Sequence, residues 1–341
     1  MKRIIFLLIL GSIAVALPAQ KIAHKAYIET DENGRQVWWR YNNKKTKSVL
    51  INGFYKVECG DYYALGNFCK GIVKAGMVSY FYSDGALWRT VGYDVKGYID
   101  GIQTDYYING NLHRRIGWRK GIAHGEHSEW FENGQQSFSG EAAYGKREGT
   151  ATAWTQKGDT LSIWNYKYGM KNGRCTTWIY TDSILTGRME EVYKADQPSD
   201  SALYFVVYLD GKERLQNRTL YDSDGKITLN DSYTNDIHYR MEYEDGILAF
   251  ISLFTDGRLS STAQYKDNQA NGKTVMYYPG TDRIYKVEIY RKGRLMGSVE
   301  YDIEGLPRSY KVLEEDGQLH PCDSSTYENL LLIDVHQKIE K

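Results

Sequence analysis

The sequence predicts an all-β chain: an elongated array of antiparallel β-hairpin repeats forming a single twisted, solenoid-like sheet, with a short C-terminal helix. Three observations lead there. A glycine recurs every 24 residues at Gly97, Gly121, Gly145 and Gly169, and a second follows four residues later at Gly101, Gly125, Gly149 and Gly173. Five residues beyond each second glycine stands a large aromatic: Tyr106, Trp130, Trp154 and Trp178. Aromatic residues make up 14% of the 341 positions, and 33 glycines are spread along the chain. Aromatics suit a pleated, half-buried surface and spaced glycines suit tight turns. A fixed period in this range marks units that bury their apolar faces only by stacking on one another.

The array does not begin at the first residue. Lys2 and Arg3 are followed by the 14-residue apolar run Ile4 to Leu17 and by the small residue Ala19. Residues 1–19 are therefore read as a secretory leader. The run is shorter than the roughly 20 residues that span a bilayer. Export is expected, to the periplasm, the outer envelope or the medium, with no membrane span in the mature chain. The 43 basic and 43 acidic residues balance, and removal of Lys2 and Arg3 leaves a net charge of −2. That balance lacks the electrostatic footprint of a nucleic-acid binder.

The hairpins are expected over residues 20–320. Asp100-Gly101, His124-Gly125, Glu148-Gly149, Asn172-Gly173 and Asn271-Gly272 read as two-residue turns, in which both central residues need positive φ. Asp84-Gly85, Asn109-Gly110, Asn133-Gly134 and Lys157-Gly158 supply turns at the opposite strand ends. The pattern is clearest over 60–190 and 262–305. It is degenerate over 198–261, where turn glycines such as Gly211, Gly225, Gly246 and Gly257 persist. The stretch Lys194 to Ala202, which contains the polar run Asp196 to Ser201, is the expected interrupting loop. Over 321–341, Ser325 and Glu328 form a capping-box pattern ahead of Tyr327, Leu330, Leu331, Val335 and Ile339 at near-helical spacing. A terminal helix there would cover the last strand.

The cysteines are Cys59, Cys69, Cys175 and Cys322. Cys59 and Cys69 would face each other across a hairpin turning about Ala64-Leu65, so a disulfide between them and two free thiols are both open readings.

Gly66-x-Phe68-x-x-Gly71-x-x-x-x-Gly76, Trp118-x-x-Gly121-x-x-x-Gly125, Gly145-Lys146-Arg147-Glu148-Gly149 and Tyr166-x-x-Gly169-x-x-x-Gly173 resemble MORN repeats. The match is closer to the bacterial MORN-repeat variant, and it covers about 60–190 and 262–305. The resemblance implies elongated hairpin sheets that act as interaction or assembly scaffolds, some of them labelled antitoxins, with no catalytic residue to carry over.

Chemistry-bearing clusters are sparse. His124-Gly125-Glu126-His127, with His113 nearby, is the one metal-like group. Residues three apart on a strand point to opposite faces, and His124 holds the place that Asp100, Glu148 and Asn172 take in sister repeats, so it reads as a turn residue. Asp222-Ser223-Asp224-Gly225 resembles a calcium loop but has Tyr233 where the twelfth-position glutamate belongs. No catalytic, cofactor or metal residue is assigned. The aromatic row is expected to be core, while the surplus rings, among them Trp38, Trp39, Tyr62, Tyr63 and Trp164, leave some exposed. The functional expectation is an exported, non-enzymatic repeat scaffold that binds a protein partner or envelope component. The alternatives are a carbohydrate- or cell-wall-binding module and an antitoxin or immunity-like protein.

Overall fold

A computed structural model describes residues 21–23, 26–32, 34–41, 47–49, 53–207 and 211–336; the leader read at 1–19 lies outside them. The chain is nearly all β, and most strands pair antiparallel with their sequence neighbours. The described residues divide into two compact units. One contains the residues up to Glu148 together with Ala153–Asp159; the other contains Gly149–Thr152 and the residues from Thr160 onward.

Strand ends use two turn chemistries. One is a two-residue turn with both central residues at positive φ, as at Lys120 (48°) with Gly121 (77°) and Tyr144 (51°) with Gly145 (79°). The other is a five-residue turn in which an Asn or Asp side chain caps the backbone. Asn109 Oδ1 accepts from the Asn111 amide at 2.9 Å, and the Gly110 amide donates to Tyr107 O at 2.9 Å. The two-residue turns therefore use the first glycine of a repeat at Gly121, Gly145 and Gly169, not the second as the sequence suggested, while Gly97 sits in a five-residue turn capped by Asp94.

The second glycine belongs to a bulge. In the strands Leu112–Arg119 and Ile122–Trp130, Trp118 pairs with Ala123 and Ile116 with His127, so His124, Gly125 and Glu126 together oppose Gly117. Asp100, Gly101 and Ile102 oppose Gly92 in the same way. Gly101, Gly125, Gly149 and Gly173 have φ of 101°, 90°, 71° and 95°, because the glycine form of a bulge uses positive φ as these turns do. The sequence cue was sound and its assignment was wrong.

The bulge sets the residue facing it. A Cβ at Gly117 would lie 2.3 Å from the His124 carbonyl oxygen, and one at Gly92 would lie 2.6 Å from Asp100 O. At two bulges whose facing residue is not glycine, an amide side chain bonds the bulged backbone instead. Asn165 Nδ2 donates to Arg174 O at 2.6 Å, and Gln264 Oε1 accepts from the Lys273 amide at 2.7 Å. Gly117→Ala is thus expected to destabilise the first unit by about 3 kcal/mol, the upper end of overpacking costs. Gly125→Val is strained by its φ, whereas His124→Asn loses a ring contact with Tyr144 and the long (3.5 Å) bond from the Tyr144 amide to His124 Nδ1. Urea midpoints of the three variants check the ranking, and Gly117→Ala melting with the wild type would refute the close approach.

In the first unit the buried side chains gather where the chain folds back on itself. Lys21–Ala23 pairs in parallel with Gly53–Glu58, and Val37 pairs with Ile72. Trp38, Val57, Phe68, Val73 and Val78 are fully buried there. Along Tyr62–Cys69, Ala64, Gly66 and Phe68 alternate inward, as a strand with one covered face requires. The hairpin before this strand turns at Gly60-Asp61, not at Ala64-Leu65: Cys59 N donates to Tyr62 O at 2.9 Å, and Ala64 pairs with Val57. Cys59 thus lies before the strand and Cys69 at its far end, and both thiols are free. Burial pushes the Cys59 thiol above its usual range, against a hydrogen bond from Tyr62.

In the second unit hairpins follow one another through the region whose sequence signature is degenerate, from Glu213–Tyr221 to Gln269–Tyr277. The expected loop at Lys194 to Ala202 is instead a tight turn between two strands. Ile184–Lys194 and Gln197–Val207 pair across the two-residue turn Ala195-Asp196, and a register shift absorbs Ser199 and Asp200. The amide-to-carbonyl bond Asp196 to Lys171 (2.9 Å) and the Lys171 amide on Asp196 Oδ1 (2.6 Å) hold that turn.

The terminal helix Ser324–His336 is capped by Asp323, not by Ser325; Asp323 Oδ1 accepts from the Thr326 amide at 2.8 Å. Tyr327 is buried with Ile289 and Val299, and Leu330 packs so closely on Gly297 that a Cβ there would meet it at 2.7 Å. The helix covers a face of the sheet, where it supplies a local core.

Candidate interaction surface

A single sheet layer can bury only what its own neighbours cover. Past Tyr93 in the first unit the most buried positions are small or polar: Gln103, Asp105 and Ser128. In the second they include Cys175, Thr219, Asp231, Ser252 and Ser298. The aromatic row differs from its expectation. Tyr106, Trp130, Trp154 and Trp178 are half-buried rather than core. Tyr106 and Trp130 sit where the register slips before a five-residue turn, opposite Leu112 and Gln136. Such rings keep part of their area in contact with solvent.

Around these rows cations lie against rings. Lys171 Nζ is 4.2 Å from the Trp164 ring and 4.7 Å from the Tyr193 ring. The Arg188 guanidinium stacks 4.4 Å over Phe205, its partner on the next strand, and also bonds Glu190 and Glu213. In the first unit Arg89 lies 4.7 Å over Trp88. Trp, Tyr and Arg at half-exposed positions are the residue types that dominate protein interfaces.

Two buried carboxylates tie neighbouring strands together. Asp105 on Ile99–Tyr106 is directly opposite Arg89 on one neighbouring strand and Arg114 on the other. Arg89 donates Nε to Oδ1 at 2.6 Å and Nη2 to Oδ2 at 3.0 Å. Arg114 donates Nε and Nη2 to Oδ2 at 3.1 and 2.7 Å, and Gln103 adds an amide contact at 3.1 Å. Asp231 on Ile227–Thr234 repeats the arrangement between Arg218 and Arg240. Arg218 donates Nε to Oδ2 at 3.0 Å, Arg240 donates Nε to Oδ1 at 2.9 Å, and His238 Nε2 is 2.7 Å from Oδ1. Burial pushes both carboxyls up, but the guanidinium bonds outweigh it and hold them below the usual carboxylate range. His238 is itself stacked between Tyr233 (4.3 Å) and Phe254 (4.9 Å).

Sequence reasoning missed both aspartates, treating acidic residues as turn formers. A signal was present: neither precedes a glycine, and each has an arginine nine residues downstream, the reach across one hairpin turn. The residues that sequence did single out take simpler roles. His124 contacts the Tyr144 ring, and His127 Nε2 is 2.9 Å from Glu129 Oε1 with its ring against Phe138. Asp222 Oδ1 accepts from the Asp224 and Lys226 amides at 2.9 Å each, so it caps a turn. Among the described residues no three His, Cys, Asp or Glu side chains converge as a metal set, and no helix is long and apolar enough to cross a membrane.

No protein-family model matches the sequence, and no curated protein matches it. Among solved structures the chain is similar to TcdB2-TccC3-TEV, at 13% identity over 84% of this chain and 20% of that one, with a TM-score of 0.18. It is also similar to TcdB2-TccC3 without that label, at 13% identity over 84% and 18% of the two chains and a TM-score of 0.18. A porin-like protein from Bacteroides uniformis ATCC 8492 is similar at 9% identity over 72% of this chain and 88% of that one, with a TM-score of 0.16. The chain thus spans about a fifth of the TcdB2-TccC3 chains, and at such low TM-scores these likenesses carry no functional argument.

Proposed function

We propose that this chain is an exported, non-enzymatic scaffold that binds a protein partner on the faces of its hairpin sheets. The observation carrying this reading is the row of half-exposed rings backed by cations in the second unit: Trp164, Lys171, Tyr193, Arg188 and Phe205. Cross-strand pairing fixes these side chains before any partner arrives, so little rotamer freedom is lost on binding. Export rests on the basic-then-apolar opening of the sequence, and the scaffold role agrees with the resemblance to MORN-type repeats.

The test is capture followed by reconstitution. The mature protein, carrying a photo-crosslinker at Tyr168 (65% exposed), is added to envelope extracts of the host. Any captured protein is purified and titrated calorimetrically. The expected result is saturable one-to-one binding that weakens at least tenfold in Trp164→Ala. Retention on envelope polysaccharide, with no protein that binds after purification, would replace this reading with the carbohydrate-binding one.

A further inference from the structure

The two buried aspartates differ in one respect that matters for binding. At Asp105 both arginines approach side-on, each using Nε and Nη2, and so spend their forks on the carboxylate. At Asp231 only Arg218 does so. His238 Nε2 takes a bond to Oδ1 at 2.7 Å, and Arg240 reaches the same oxygen through Nε alone. A carboxylate oxygen only accepts, so His238 donates through Nε2 and its orientation is locked between two rings. The terminal Nη1 and Nη2 of Arg240 make no hydrogen bond among the described residues, and about a third of the side chain (34%) is exposed.

We propose that Arg240 is an anchor for a single carboxylate presented by a protein partner, held in place by Asp231 and His238. The proposal rests on the scaffold reading and names the chemistry its surface would recognise. Two permanent positive charges face one aspartate, and Glu242, two residues along the strand, acts on Arg240 through charge without occupying its fork. The planar pair Nη1 and Nη2 matches the two oxygens of a carboxylate, and bidentate pairs of this kind are the strong ones. Holding the guanidinium by Nε removes most of the entropy that an ordinary surface arginine would lose on binding. A lone acidic side chain fits better than a uronate polymer. In register with Arg240 the next strand offers Ser252, then Thr262, so a repeating polyanion finds no second fork on that side.

Side-chain Nε–Hε NMR signals of Arg240, Arg218 and Arg114 are followed at neutral pH while sodium acetate replaces sodium chloride at constant ionic strength. Saturable shifts at Arg240, with a smaller one at Arg218 relayed through the shared Asp231 and none at Arg114, are expected. In Arg240→Lys, which keeps the charge and loses the fork, the Arg218 response to acetate should weaken at least tenfold while the melting curve is retained. Equal drift of all three arginines, or an unchanged acetate response in the lysine variant, overturns the anchor. Acetylated triglutamate is then compared with trigalacturonate: tighter peptide binding supports a protein carboxylate, and tighter sugar binding overturns that assignment. A partner captured as above that binds Arg240→Lys as well as wild type would remove the anchor and leave the scaffold reading standing.

Discussion

Trp38→Ala is expected to lower the stability of the first unit by about 3–5 kcal/mol, the range for emptying a large aromatic site. Trp38 is 0% exposed and meets Phe68 and Tyr80 at ring separations of 5.1 and 6.0 Å, so its loss opens a cavity lined by groups already fixed in strands. The indole N–H has no hydrogen-bond partner among the described residues, so Trp38→Phe removes an unsatisfied donor along with some volume and should cost clearly less. Denaturation curves of the two variants give the order. Hydrogen exchange gives the location: protection should fall in Gly53–Glu58, Tyr62–Cys69 and Gly76–Tyr82 and persist around Tyr327. An alanine variant as stable as the phenylalanine one, or equal loss throughout the chain, would contradict this.

Asp105→Ala is expected to destabilise the same unit by about 3 kcal/mol, because it strips two arginines of the acceptor they share. Asp105 is 2% exposed, whereas Arg89 and Arg114 keep 26% and 33% of their side-chain area, so water relieves part of the damage and the lower end of that range applies. The pH dependence has a definite sign. The folded carboxyl is held below its unfolded value of about 3.9, so its contribution is complete above that pH and is lost as pH falls through the lowered folded value. Wild-type urea midpoints of the first unit should therefore drop below about pH 4, and the alanine variant should show a shallower drop. An unchanged acid slope in the variant would show that this carboxyl is not its source.

Much of the fold was legible because the repeat is a backbone requirement written in glycine. Positive φ at Gly97 to Gly173 could be read off spacing, as could the five-residue turns at Asn109-Gly110 and Asn133-Gly134. What spacing does not separate is a turn from a bulge, since Gly121 and Gly125 both need the same region of φ. Only the facing strand decides, and the deciding residue, Gly117, lies eight positions from the bulge glycine. Cys59 and Cys69 failed for the same reason: moving the turn from Ala64-Leu65 to Gly60-Asp61 takes one cysteine out of the ladder. The candidate site was less legible. Asp105 and Asp231 look like any acidic residue until the arginines of two flanking strands are placed opposite them. Whether Arg240 keeps its fork depends on the ring that His238 inserts, which no one-dimensional pattern records. The half-buried row of Trp130 and its relatives was read as core because a sheet must cover something. Here small side chains such as Ser128, flanked by Arg115 and Ser139, are covered instead.

The parallel pairing of Lys21–Ala23 with Tyr55–Val57, and the contact of Val37 with Ile72, also set an order of events. Most of the other described strands meet the one made just before them, across two to six residues of turn, so closing those loops costs little entropy. Such hairpins can nucleate independently and grow by accretion, which gives an all-β chain the low contact order usually reserved for helical bundles. The N-terminal pairings span more than thirty residues and close only after the intervening hairpins exist, so this corner is the slow step. Its first half is also synthesised before the strands that complete it. A chain emerging N-terminus first must keep residues 21–41 waiting for 53–73, the interval in which a chaperone or a neighbouring chain has access to them.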